Sequence, residues 1–446
     1  MIRNPWKLHY SMPGKPLPSG PTSHLCPPRF MGKSRHKTYN SASRPILMVV
    51  GKGERTVTFQ SFSCTKWCVG IILLLCLSLL PATALALETG GKAYYLMDPY
   101  SGRVFLENNS TEALPVASIS KLMTLVVVLE AVEKGEISLA DLVTASTFAA
   151  SKRGSRIWLE AGEQLTLDEL IYAIAVGSAN DAAVAVAEFL AGSEPNFVQL
   201  MNERAQELAL MDTLYVNSTG LPGDEGATNR MSAKDVALLA RHAMNVRHLM
   251  DYVSTYEYTM RPATTRIPVL WNGNKLLRRY YGVDGLKTGF TTEAGYCIAA
   301  TAERENFRLI AVTLGHNKDE ERESAARSLL DYGFRKYQSL ELYAKNDVVG
   351  SLECPTGNPR RVDVVVPNDF LVTVERGKEL DLTTIVHLDA NQELPVAEGQ
   401  VVGTITAYYE DEVVGTNVLT VSQRVQKLSL PALVLRLCQA MAQAVF

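Results

Sequence analysis

The run Pro115-Val116-Ala117-Ser118-Ile119-Ser120-Lys121-Leu122-Met123-Thr124 sets a hydroxyl three residues ahead of an amine, at the start of an apolar stretch that ends near Glu130. A helix beginning there puts residues three apart on one face, so the Lys121 amine lies beside the Ser118 hydroxyl. A serine hydroxyl is a poor nucleophile at neutral pH. A neighbouring amine takes its proton only when desolvation or nearby cations bring the amine's pKa toward about 7. The positive potential of a helix N-terminus disfavours an ammonium and favours a developing oxyanion, and the apolar body behind Lys121 excludes water. Taken alone, Ser-x-x-Lys describes a helix cap and a surface lysine equally well, so the reading depends on what lies downstream.

Two further polar clusters follow in order. Ser178-Ala179-Asn180 interrupts alanine-rich helical periodicity between Gly162 and Gly192, as a loop projecting into a cleft would. Lys287-Thr288-Gly289 closes a strand pattern, where Gly289 would let a substrate backbone lie close against the strand.

The elements that must hold these groups can be read from pattern. Lys92 to Asp98 and Arg103 to Glu107 are strand-like runs joined by the turn Pro99-Tyr100-Ser101-Gly102, which predicts an opening hairpin. Helices are predicted over Ser118 to Glu133, Phe197 to Leu208, and Met231 to Met244, the last with Ser232 as N-cap and Asp235 three residues on. The glycine-rich Leu214 to Arg230 is loop. Strands are predicted over Gly282 to Lys287, Gly295 to Ala302 and Phe307 to Gly315, closed by a helix from about Asp319 to Tyr337. Strands first and last with helices between imply an α+β fold, a helical block packed on an antiparallel sheet, within residues 87–338.

After Tyr337 the texture changes to short alternating runs (Arg361 to Val366, Leu371 to Val374, Thr383 to Leu388, Val401 to Tyr409, Val413 to Val421), which predict a small all-β domain over 340–424 with a spacer or partner-binding role. Residues 428–446 form an apolar helix with Arg436, Gln439 and Gln443 on one stripe. Such a helix can lie in a membrane interface; docking on the protein and a true span with one snorkelled arginine are the alternatives.

With 446 residues the chain exceeds the size at which single cores stop growing, and its formal net charge of -3 with no basic run excludes a nucleic-acid partner that needs a basic face. Trp67 to Leu80 is an apolar run followed by the small-residue site Ala82-Thr83-Ala84-Leu85-Ala86, so residues 66–86 read as a signal peptide cleaved after Ala86, the alternative being a retained anchor. Residues 1–65, rich in Pro, Ser, Lys and Arg, are read as a disordered or mis-started extension outside the fold. Of seven cysteines only Cys297, Cys354 and Cys438 follow the cleavage site, an odd and widely spaced set that is neither a disulfide framework nor a metal site; Cys297 reads as core.

The ordered trio resembles that of penicillin-binding proteins and class A β-lactamases. Longer runs select the branch. Leu159-Glu160-Ala161-Gly162-Glu163-Gln164-Leu165-Thr166-Leu167-Asp168-Glu169-Leu170, continuing to Ser178-Ala179-Asn180-Asp181-Ala182-Ala183, resembles the low-molecular-weight penicillin-binding proteins, the serine D-alanyl-D-alanine carboxypeptidases. So do Asn217-Ser218-Thr219-Gly220-Leu221 and Gly285-Leu286-Lys287-Thr288-Gly289-Phe290-Thr291. The resemblance runs from about Lys92 to the C-terminus.

It implies a β-lactamase/transpeptidase-like fold for the first domain, no metal and no cofactor. Ser118 would be the acylated nucleophile and Lys121 its base; Ser178 and Asn180 would hold the peptide and shuttle protons to the leaving amine. Lys287 and Thr288 would face the terminal carboxylate, and Arg322, in Glu321-Arg322-Glu323, matches the family's carboxylate-binding arginine, a solvated helix charge being the alternative. A free carboxylate calls for cations from two directions. The oxyanion hole would be the N–H groups of Ser118 and Phe290, and many relatives carry histidine where this chain has Phe290. The implied partners are peptidoglycan stem peptides, β-lactams as covalent inhibitors and, through the terminal helix, a membrane surface. The implied place is outside the bacterial cytoplasm, at the outer face of the membrane, in the periplasm or in the wall.

Three rivals use the same residues or none. A β-lactamase needs a glutamate to activate the deacylating water, and Glu194, in the one Glu-Pro sequence similar to such a loop, follows Ser178 too soon and instead starts the next helix. A D,D-endopeptidase would not need an arginine for a free carboxylate. A non-catalytic wall-binding protein would have no reason to keep an amine beside the serine.

Overall fold

The strand Ala93–Met97 (β1) is buried along its whole length because both of its faces are covered. Ala93, Tyr95 and Met97 enter one apolar core and Tyr94 and Leu96 another, as a period of two requires. β1 turns at Asp98, whose carboxylate accepts from the Tyr100 N–H and the Ser101 hydroxyl, into the exposed strand Val104–Asn108 (β2). The computed structural model describes residues 89–223, 226–261, 269–389, 392–409 and 411–445, all within one unit, Thr83–Phe446. The N-terminal extension and the signal peptide read from sequence lie outside the described residues.

Among the described residues, the five longest helices between the hairpin and the rest of the sheet build the block. Lys121–Glu133 (α1) is apolar nearly all round and is accordingly central. Leu167–Ala175 (α2) opens with a capping box between Thr166 and Glu169. Asn180–Ala191 (α3) ends at Gly192 in the left-handed region, and Glu194–Glu207 (α4) starts at once, its N-cap Ser193 accepting from the Asn196 N–H. Ala233–Ala243 (α5) has Ser232 as N-cap, accepting from the Asp235 N–H as the spacing predicted. The strands Val283–Thr291 (β3), Gly295–Arg304 (β4) and Phe307–His316 (β5) complete an antiparallel sheet in the order β2-β1-β5-β4-β3.

The helix Asp319–Lys336 (α6) lies on the other face of this sheet, burying Ala326, Leu329, Leu330 and Phe334 against Tyr94, Leu96, Ile298 and Ala300. The α+β reading holds, with a third layer added to the two expected from sequence. Edge strand β3 faces the helical block, because Lys287 pairs with Ala299 and Gly289 with Cys297, and those partners belong to the helical-side core.

α6 runs without a break into Tyr337–Tyr343 (β6), followed by Val348–Glu353 (β7), Arg361–Val365 (β8), Phe370–Glu375 (β9), Leu382–Leu388 (β10), Val401–Tyr409 (β11) and Glu412–Val421 (β12). β6 pairs with β9, and the rest form an antiparallel sheet in the order β7-β8-β12-β11-β10 around a separate core that includes Val362, Val364, Phe370, Ile405 and Leu419. This all-β part touches the first through buried Thr373, whose hydroxyl donates to Asp98 at 2.7 Å, and through Phe105 stacked on Tyr337. The last helix, Leu430–Val445 (α7), is tied to the all-β part by Arg436, which donates to the carbonyls of Pro355 and Gly357. Leu430, Val434, Leu435, Leu437 and Met441 on it are exposed. Among the described residues no helix is long and apolar enough to cross a membrane. Cys297 and Cys354 are buried and Cys438 is exposed.

Candidate active site

Ser118 sits in a 3-10 turn, Ala117–Ser120, and α1 begins only at Lys121. The turn is tight: Ala117 has φ +48°, in the left-handed region, and the Ser120 hydroxyl donates to the Ala117 carbonyl at 2.8 Å. Such departures cost energy and persist where the surroundings over-determine them. Two backbones supply that constraint. Gly220 packs its bare Cα against Ala117, and a Cβ on Gly289 would lie 2.7 Å from the Val116 carbonyl oxygen and 3.0 Å from the Ser118 nitrogen. The room that Gly289 leaves is therefore filled by the turn that carries Ser118, where the sequence suggested a substrate backbone.

Lys121 is completely buried, and its Nζ has three neighbours: Ser118 Oγ at 3.0 Å, Asn180 Oδ1 at 2.6 Å and the Thr219 carbonyl at 2.7 Å. Burial first, and then the Lys287 cation, hold its pKa well below the usual lysine range, with Asp181 opposing them. A neutral amine has two N–H bonds and one lone pair. Two of the three neighbours are carbonyl oxygens, which can only accept. In the neutral form those two would take both N–H groups, which leaves the lone pair for the one neighbour that can donate, the Ser118 hydroxyl. Burial, with the Lys287 cation beside it, is what lowers the amine's pKa.

Lys287 is also buried and donates to Ser178 Oγ and to the Thr288 carbonyl, each at 3.0 Å. Burial and then the nearby Arg322 guanidinium pull its pKa down to about 7. Ser178, at φ +55°, is another left-handed residue at the site. Ser118, Lys121 and Asn180 form one hydrogen-bonded group, and Ser178 and Lys287 a second. Thr288 points to the other face of β3, toward Gly273. Arg322 is buried behind that strand, paired with Asp319 and directed at the carbonyls of Gly289 and Cys297, so it is no solvated charge. Phe290 is 53% exposed and stacks on Tyr296, with ring centroids 4.2 Å apart.

Several supporting residues escaped the sequence reading. Asp181, fully buried, accepts from the N–H groups of Ile157, Leu159 and Ala182, and so fastens the 153–159 loop to the start of α3. The same loop takes the Asn180 side chain, whose Nδ2 donates to the Arg153 carbonyl at 2.6 Å. Asn217 Oδ1 accepts from the N–H groups of Thr219 and Gly220, and Asn229 Oδ1 from those of Val216 and Asn217, which aims the Thr219 carbonyl at Lys121. The signal available in the sequence was the Asn-Ser-Thr-Gly run itself, since Asn and Thr side chains bond locally to backbone in tight turns.

The chain is similar to known proteins along most of its described length. Residues 81–318 match the D-alanyl-D-alanine carboxypeptidase family, and residues 337–427 match the C-terminal domain of penicillin-binding protein 5. The chain is 35% identical to D-alanyl-D-alanine carboxypeptidase DacF of Bacillus subtilis over 75% of this chain and 86% of the relative. It is 31% identical to DacC of Escherichia coli over 77% and 86%. Among solved structures, penicillin-binding protein 5 of Haemophilus influenzae matches with a TM-score of 0.65 at 29% identity, covering 76% of this chain and 98% of that one. Penicillin-binding protein 3 of Streptococcus pneumoniae matches with 0.68 at 27%, covering 76% and 99%. The chain belongs to the serine D-alanyl-D-alanine carboxypeptidases, the low-molecular-weight penicillin-binding proteins.

Proposed function

We propose that this enzyme removes the terminal D-alanine from peptidoglycan stem pentapeptides through an ester on Ser118. The observation that supports this most directly is buried Lys121 Nζ, 3.0 Å from Ser118 Oγ and flanked by two carbonyl acceptors that leave a neutral amine's lone pair for the hydroxyl. Lys121 takes the hydroxyl proton as Oγ bonds to the carbonyl carbon of the penultimate D-alanine. The oxyanion is met by the N–H groups of Ser118 and Phe290. The C–N bond then breaks, with the proton passing to the leaving amine by way of Lys121 and Ser178, and water releases the shortened peptide. Lys287 and, from behind the strand, Arg322 provide the positive end that receives the substrate carboxylate. Asn180 holds both the base and the peptide. A β-lactam enters the same steps and remains as an ester.

The proposed layout is a signal peptide over 66–86, a catalytic domain over 87–338, a β-rich domain over 340–424 and an interfacial helix over 428–446. With that layout the enzyme works outside the cytoplasm, at the outer face of the cytoplasmic membrane or in the periplasm or wall, and the exposed apolar residues of α7 support attachment to the membrane surface. Labelled penicillin is expected to modify the protein, and Ser118→Ala to abolish labelling; labelling that survives removes Ser118 from its role. Release of D-alanine from a pentapeptide, measured against cleavage of a cross-linked dimer, separates carboxypeptidase from endopeptidase.

A further inference from the structure

We infer that Glu194 is a positioning residue for the general base, acting through the two loops that hold Lys121; the inference builds on the role proposed for Lys121. Glu194 lies in the first turn of α4, buried. Its Oε1 accepts from both the N–H and the hydroxyl of Ser218, at 3.0 and 2.7 Å. Its Oε2 lies 3.1 Å from Lys152 Nζ, which sits over the Phe148 ring. A buried carboxylate is retained at low cost only when its oxygens are met in this way.

Each partner stands one residue before a carbonyl at the site. After Ser218 comes Thr219, whose carbonyl accepts one N–H of Lys121 at 2.7 Å. After Lys152 comes Arg153, whose carbonyl accepts from Asn180 Nδ2 at 2.6 Å. That bond decides which end of the Asn180 amide faces Lys121, since an amide anchored by its NH2 must present its oxygen to the other side. One carboxylate thus joins the segments that supply both acceptors, and these leave the amine's lone pair for Ser118. Because both oxygens are engaged, Glu194 is not placed to activate water, and the glutamate that the sequence raised as a lactamase candidate supports the base instead. Ser218 also anchors α1, its carbonyl accepting from Thr124 Oγ1 at 2.8 Å.

The test separates the covalent step from binding. Rapid-mixing acylation of the full-length protein by a chromogenic cephalosporin gives the acylation rate constant and the noncovalent Kd, per active site titrated. Misplacing a reacting group by about 1 Å costs on the order of 100-fold. Glu194→Ala is therefore expected to lose about 100-fold in the acylation rate constant and Glu194→Gln, which keeps the Ser218 bonds, about 10-fold, with Kd changed by less than about 2-fold. Lys152→Met should match Glu194→Gln, and the double variant should be no worse than either, because both cut the same arm. Ser218→Ala, which removes one hydroxyl, serves if the Glu194 variants do not fold. Folded variants that acylate at the wild-type rate, or that lose affinity in place of rate, overturn the inference. Lys121→Ala run alongside keeps the two readings apart: rapid acylation without that amine would remove the base itself, whereas its loss beside normal Glu194 variants would remove only the role of Glu194.

Discussion

Gly220 lies so close to Ala117 that a Cβ on it would stand 1.9 Å from the Ala117 carbonyl oxygen. Gly220 has φ +82°, so a side chain there meets strain as well as a collision with backbone, which cannot swing away. Gly220→Ala is expected to displace the nucleophile turn and to reduce penicillin acylation by about 100-fold or more. Gly162 has φ +85° with nothing within 4 Å, and Gly162→Ala should cost only the left-handed penalty of about 1 kcal/mol. Thermal melts paired with labelling distinguish the two: the second variant loses a few degrees and no activity.

Lys287 gives a pH dependence with a definite sign. Its pKa in the folded enzyme is about 7, so its charge fades as pH rises through that value. Affinity for a substrate carboxylate should fall with it. The kcat/KM profile is expected to have an alkaline limb near neutrality that Lys287→Arg moves out of range, since a guanidinium stays charged. An alkaline limb unchanged in the arginine variant would assign it elsewhere.

The same shift acts on stability. Between about 7 and the ordinary lysine value the unfolded chain holds a proton on Lys287 that the folded chain has released, so this lysine makes stability rise with pH across the window. Below the window the buried charge is carried at full cost. Lys287→Met should therefore gain most relative to the wild type at pH 6, and the gain should shrink toward pH 10, read from denaturant midpoints at each pH.

Thr373 and Asp98 tie the all-β part to the first hairpin across 275 residues of sequence. Thr373→Val keeps the shape and removes the hydroxyl, leaving Asp98 with its two local donors. A loss of about 1–3 kcal/mol is expected, detected as earlier cleavage between α6 and β7 in limited proteolysis.

How far the fold and site were legible depended on sequence distance. The Ser118 to Lys121 spacing, the Ser232 cap and the breaks around Ser178 and Gly192 are local, and local chemistry reads directly. The layer formed by α6 was hidden because β1 is buried on both faces and shows no alternation of polarity. β6 escaped notice for a different reason: Gln338 to Tyr343 becomes a strand only by pairing with β9, about thirty residues on. For Arg322 the resemblance implies a carboxylate-binding arginine and the acidic helix start a solvated charge, and only the sheet's position shows it buried. Glu194 resembled an ordinary acid in a first helical turn, since its partners Ser218 and Lys152 lie far along the chain on either side.

The terminal helix carries its own test. Deleting residues 428–446 should shift the protein from sedimenting with anionic vesicles to the supernatant while leaving penicillin labelling intact. Partitioning that does not change would assign membrane contact elsewhere or nowhere.

An electrophilic drug entering this cleft faces two nucleophiles, and the amine is intrinsically the stronger. Lys121 is sealed from solvent, 3.0 Å from Ser118 Oγ, so by the proposed mechanism the drug would be captured as an ester and not as an amide. An ester can still be hydrolysed, and a drugged enzyme can recover. An amide on Lys121 would be a dead end, and the burial that lowers this lysine's pKa would also protect the enzyme from that fate.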